Sequence, residues 1–301
     1  MNLSQIMDET VVAFLGSYLS DSPRYQAFVI ELWRQYLSLG LPNGNFVKEL
    51  TSGKDERFNQ RLWEMLLARH LHAQGHTLTS ATRGPDLRFE REGRIIWVEA
   101  ISPEPRGLPG DWMEPPQTNE TRVGTVPHNE IVLRWTAAFK AKADKLAAYL
   151  RQGIVGQTDA YVIAIHGGQL GAIPLDHGVS RYPLALETVF PLGPLAVSIN
   201  RYTGAVGDAY NTNRFEITNA NGAPVATTPF VDPTYVGVSA VLAFSRDRSA
   251  EASLPVYVVH NPLARVRVLF GVLGREAEEW YAEPVGDDGL EMELRKRPSA
   301  G

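Results

Sequence analysis

A chain of 301 residues, 44% hydrophobic and 21% charged, has the make-up of an ordinary globular protein able to bury a sizeable core. The lack of cysteine excludes disulfides, a thiolate nucleophile and zinc–thiolate sites, and no uninterrupted apolar run approaches the roughly 20 residues of a membrane helix. A net charge of −5 argues against a protein that coats long nucleic acid non-specifically, because phosphate neutralisation drives such binding, yet leaves room for a local basic cleft.

Residues 1–38 read as helical, with Phe28, Leu32 and Tyr36 spaced along one face and Ser22-Pro23 at a helix start. Asp8 and Glu9, with no early basic cluster, do not resemble a signal peptide, and together with the missing cysteines suggest a cytoplasmic protein. Gly40 to Asn45 is a break. A helix is expected from about Glu56 to Gln74, ended by Gly75. The period then changes to two. Pro85–Glu90 alternates, Arg94–Ile101 is an apolar β-branched run, and Glu92-Gly93 between them is a tight turn, so the segment predicts a β-hairpin. Residues 102–127 are rich in Pro and Gly and read as an irregular loop. A long helix follows from about His128 to Gln152, then a short buried strand over Tyr161–Ile165. From 166 onward the signal weakens. Tyr235–Phe244 and Pro255–Val259 read as strands, and the stretch after 286 as a loose, charged tail.

Asp86 opens the first hairpin strand and Glu99 lies near the end of the second, so both carboxylates can meet at the open end of the hairpin. Two such groups suit Mg²⁺ or Mn²⁺, which prefer oxygen ligands. Glu99 shares its strand face with Ile95, Trp97 and Ile101, and an acid in an apolar row needs a partner or a metal. On the long helix, Ile131, Trp135, Phe139, Leu146 and Tyr149 form one apolar stripe, and Lys142 falls inside it. Lys140 points nearly opposite and Lys145 lies at the margin. A lysine within an apolar stripe either snorkels outward or reaches a buried anion.

A helix, then Gly84-Pro85-Asp86 on a strand, then Trp97-Val98-Glu99 on the next, then a helix and a strand, is similar to the PD-(D/E)XK nuclease superfamily. The resemblance covers about a third of the chain. It implies an α/β restriction-endonuclease-like core over residues 51–165, with residues 1–50 an N-terminal helical segment packed on it. Residues 166–285 would be a strand-rich extension of the same domain. It further implies metal-dependent hydrolysis of phosphodiesters, DNA before RNA, with Asp86 and Glu99 as metal ligands. Glu64, on the preceding helix, matches an acid common in the family. The family's lysine would stand at Ile101, so Lys142 is the candidate replacement reaching in from the helix. Arg134, about 80° around that helix from Lys142, is a candidate phosphate contact. Ile101 at the lysine position also motivates the alternative of a catalytically inactive nuclease fold serving as a binding or scaffolding module. A homo-oligomer fits either reading. The segment Val258–Ala264 resembles the C-terminal part of uncharacterised members of the superfamily.

Other motifs carry less. His70 and His72 face different sides of their helix and Gly75 separates them from His76, so no metal cluster is expected. Gly271-x-x-Gly274 is too short for a nucleotide loop, Gly167-Gly168 lacks the Lys-Ser/Thr of a P-loop, and no Gly-x-Ser-x-Gly elbow occurs.

Overall fold

The computed structural model describes residues 3–81, 83–114, 123–171, 175–244, 256–285 and 291–298. Four helices open the chain: α1 (Leu3–Tyr18), α2 (Pro23–Ser38), α3 (Gly44–Leu50) and α4 (Asp55–Ala73). The helical N-terminus is thus two helices, because Pro23 sits at the start of α2 and cannot continue α1. Then come β1 (Leu87–Arg91), β2 (Arg94–Ile101), a helical turn α5 (Gly110–Met113) and the long helix α6 (His128–Arg151). They are followed by β3 (Ala160–His166), α7 (Leu184–Val189), β4 (Leu192–Ile199), β5 (Val206–Asn213), β6 (Glu216–Thr218) and β7 (Pro224–Ala226). The chain ends with β8 (Ala240–Phe244), β9 (Tyr257–His260), β10 (Glu278–Val285) and β11 (Glu291–Lys296).

Seven strands form one mixed sheet in the order β1-β2-β3-β8-β9-β10-β11, with β2, β3 and β8 parallel and β1, β9 and β11 antiparallel to their inner neighbours. The alternation of side chains along each strand divides the core in two. Ile96, Val98, Ala100, Val162 and Leu242 join α1–α4 on one face. Trp97, Tyr161, Ile163 and Val241 join α6 and α7 on the other. The inner strand β3 is buried throughout its length, as a parallel strand covered on both faces must be.

The β1–β2 hairpin turns at Glu92 and Gly93, both with positive φ (53° and 73°), the two-residue turn whose twist matches the strands. Three expectations need correction. The irregular 102–127 segment includes the helical turn α5, while residues 115–122 of it lie outside those described. The strand expected from Tyr235 begins only at Ala240, because Pro233–Tyr235 forms a 3₁₀ turn and Val238 N–H bonds back to Tyr235 O. The tail expected to be loose after 286 contains β11. Its Met292 and Leu294 pack at the edge of the core, while Arg295 pairs with Glu283 across the ladder at 3.1 Å. A two-residue alternation was present there beneath the charges.

The weakly patterned region 167–234 builds α7 and two hairpins, β4–β5 and β6–β7, outside the main sheet. A fully buried carboxylate, Glu187 of α7, ties this region to the start of α6. It accepts from Arg214 (3.0 Å), the backbone of Ser180 (2.8 Å) and the Ser180 hydroxyl, and lies 2.6 Å from His128 Nε2. Among the described residues no helix is long and apolar enough to cross a membrane.

Candidate functional site

The site forms where β1 begins and β2 ends, under α6. Gly84 comes first, with φ 137°, and a Cβ there would stand 2.9 Å from Ile154, so glycine is required both by conformation and by space. Pro85 then feeds Asp86 into the mouth of the hairpin. Asp86 Oδ2 accepts the Ala100 N–H at 2.7 Å, locking the start of β1 onto β2 beside Glu99.

Glu99 is 1% exposed and points from β2 towards α6. Lys142, 8% exposed, donates to Glu99 Oε1 at 2.6 Å, and Lys145, from the next turn, reaches the same oxygen at 3.1 Å. The Tyr149 hydroxyl lies 3.3 Å from both Glu99 Oε2 and Gly84 O, between which its single proton is shared. Lys142, Lys145 and Tyr149 are spaced i, i+3 and i+7, so one stripe of α6 covers the carboxylate. Lys140, on the opposite side, pairs with Asp144 at 3.1 Å.

Glu64 approaches from the other face of the sheet. It is buried on α4 and accepts from Gln60 (3.0 Å) and Arg61 (2.7 Å). Gln60 also donates to Ala100 O (3.1 Å) and accepts from Ser102 N–H (2.9 Å), so α4 grips the end of β2 through one amide. The structure thus brings Asp86, Glu99 and Lys142 together, with Glu64 nearby across the strand. It adds Gln60, Arg61 and Tyr149 as partners that sequence reasoning missed, and it moves Lys145 from the margin of the stripe onto Glu99. The i, i+4 spacing of Gln60 and Glu64 is the signal that could have found the first.

The charges strain against one another. Burial, then the charge on Glu99, pushes Asp86 up to about 6, against the pull of Lys142 and the Ala100 N–H. Burial, then the charge on Asp86, pushes Glu64 up to about 8, against Arg61. For Lys142 burial works against the charge, but Asp86, Glu99 and Glu64 outweigh it and hold the ammonium above its ordinary value. Three carboxyls, Asp86, Glu99 and Glu64, thus stand against three cations, Lys142, Lys145 and Arg61, and a cation entering the site would displace the protons that burial holds on Asp86.

The donor set fits a hard cation of one kind only. Among the described residues no three His, Asp or Glu side chains are placed to cage a metal, since Glu64 lies across the sheet with both oxygens engaged. Asp86 Oδ1 has no hydrogen-bond partner among the described residues, and Glu99 Oε2 meets only the distant Tyr149 hydroxyl. Two carboxylate oxygens suffice for Mg²⁺ or Mn²⁺, which keep waters and take substrate oxygens in their remaining positions. They do not suffice for a closed structural site.

Beside this cluster a cleft of about 650 Å³ opens between the N-terminal half of α4 and the middle of α6. Ile101 and Ser102 at the end of β2 form its inner end and Ala137, Ala138 and Ala141 a low wall of small side chains, while Arg57, Arg106 and Arg134 rim it together with Glu49, Glu56 and Glu104. Arg134 donates through Nε to Glu104 O at 2.8 Å, which anchors the guanidinium at the rim, and Arg106 pairs with Glu104 at 2.6 Å. Comparison of the chain with protein-family models, with curated proteins and with solved structures finds no match.

Proposed function

We propose that the chain is a metal-dependent phosphodiester hydrolase of the restriction-endonuclease-like type, acting on DNA in preference to RNA. The observation that carries this reading is the convergence of Asp86, Glu99 and Lys142 from two strands and a helix, with Ile101 facing the arginine-rimmed cleft. Asp86 Oδ1 and Glu99 Oε2 would hold the cation. A bound Mg²⁺ or Mn²⁺ supplies polarisation of the phosphodiester and a water of lowered pKa. Lys142 fixes the Glu99 carboxylate and places positive charge where the phosphate gains negative charge. Arg57 and Arg134 offer phosphate contacts that set the strand in the cleft without reading its sequence. The test is hydrolysis of plasmid and of single-stranded oligonucleotide in Mg²⁺ or Mn²⁺. Asp86→Ala and Glu99→Ala should each abolish it, and activity that survives both substitutions overturns the proposal.

A second reading, a nuclease fold retained as a binding or scaffolding module, draws on one specific observation. Two lysines already neutralise Glu99, and among the described residues no third acid joins the pair. The two readings part at metal binding: a module of this kind has no Mn²⁺ affinity that Glu99→Ala removes.

A further inference from the structure

A second constellation lies at the opposite end of the sheet. Glu279 of β10 is 2% exposed, and its carboxylate is completely engaged. Oε1 accepts the Gly271 N–H (2.6 Å) and Arg297 (2.7 Å), and Oε2 faces His260 Nε2 at 2.7 Å. The proton of the imidazole is therefore held on Nε2, which leaves Nδ1 as an acceptor with no partner among the described residues. This is the arrangement that orients a histidine for a group outside the chain.

That histidine lines a cleft of about 700 Å³ whose walls are mostly apolar. Leu269 and Phe270 are each 47% exposed on its lip, an arrangement that leaves large apolar surface to water. Phe270 stands edge-on to His260 (4.7 Å) and to Tyr281 (5.2 Å), so three rings share one wall. Arg267, also at the cleft, gives one bond to Pro262 O (3.1 Å) and has no acidic partner among the described residues. The acid in the cleft, Glu283, is held by Arg295 at 3.1 Å. A concave apolar wall with a few convergent polar groups is the usual form of a small-molecule site.

We infer that this cleft binds a small anion carrying a planar aromatic ring, the ring against Phe270 and Tyr281, a ring-edge donor on His260 Nδ1 and the anionic group on Arg267. Nucleoside monophosphates and aromatic carboxylates share this chemistry, and the site does not depend on the reading of the Glu99 cluster.

The experiment is calorimetric titration of the full chain with GMP, with guanosine and with 4-hydroxybenzoate. At least one of the two anions should bind with Kd below ~1 mM. If it is GMP, guanosine should bind about tenfold more weakly, because it lacks the group for Arg267. Arg267→Ala and Phe270→Ala alter exposed side chains and should each weaken the anion about tenfold. His260→Gln retains a donor for Glu279 but removes the Nδ1 acceptor, and should weaken it similarly. No binding of either anion to the wild type overturns the inference. So does binding that Arg267→Ala abolishes but Phe270→Ala and His260→Gln leave unchanged, since that describes a bare anion site. A binding constant equal in all three variants and the wild type places the ligand elsewhere and overturns it as well.

Discussion

Lys142 Nζ lies 2.6 Å from Glu99 Oε1, joining residues 43 positions apart at a point where both side chains are nearly excluded from water. Each charge depends on the other, because an isolated ion at such depth costs several kcal/mol. The pair fixes α6 against β2, and the same contact brings the ammonium to the carboxylate pair at the hairpin mouth.

Removing one partner exposes that dependence. Lys142→Met should destabilise the fold by about 3 kcal/mol, with Lys145 limiting the loss by remaining on Glu99, and should eliminate DNA hydrolysis. Urea denaturation and a cleavage assay on the folded fraction measure the two effects. Unchanged stability would show that the ion pair is not formed.

The raised carboxyls make stability depend on pH in a definite direction. Glu64 and Asp86 titrate higher in the fold, at about 8 and about 6, than in the unfolded chain, where such groups titrate near 4. Between roughly pH 4 and 8 the native state therefore holds more protons, and this contribution to stability falls as pH rises. Glu64→Gln removes the larger part. Its urea midpoint should gain on the wild type between about pH 5 and pH 8, and parallel pH profiles would contradict the assignment.

Gly84 sets the entry of Asp86. Its φ of 137° and the 2.9 Å approach to Ile154 predict that Gly84→Ala destabilises by about 2 kcal/mol and displaces the Pro85-Asp86 pair. Thermal melting measures the first effect. A weakened Mn²⁺ affinity in the variant, relative to wild type, measures the second.

The cleft makes an electrostatic prediction. Arg57→Ala combined with Arg134→Ala should weaken single-stranded DNA binding and flatten its salt dependence, by about 0.7 of a unit of slope for each phosphate that the variant no longer neutralises. Fluorescence anisotropy across a salt series reads both. An unaltered slope places the strand elsewhere.

The hairpin and its flanking helices were legible because their signals are local. The Glu92-Gly93 turn, the strand parity of Glu99 and the 3.6-residue stripe holding Lys142 all lie within single elements. What joins elements was not legible. Nothing in the periodicity of α4 says that Gln60 spans to Ala100 and Ser102, or that Glu64 approaches from the face of the sheet opposite Glu99. The same holds for His260 and Glu279, 19 residues apart on parallel strands, and for β11, whose alternation was hidden by its charged residues.

The central claim is that Asp86 and Glu99 form the divalent-cation site, and Mn²⁺ titration by calorimetry near pH 6 tests it most directly. The expected result is one Mn²⁺ per chain with release of protons, since at that pH Asp86 is about half protonated in the free protein, and loss of that binding in Asp86→Asn and in Glu99→Ala. A wild-type chain that takes up no Mn²⁺, or one whose affinity is untouched by both substitutions, would contradict it.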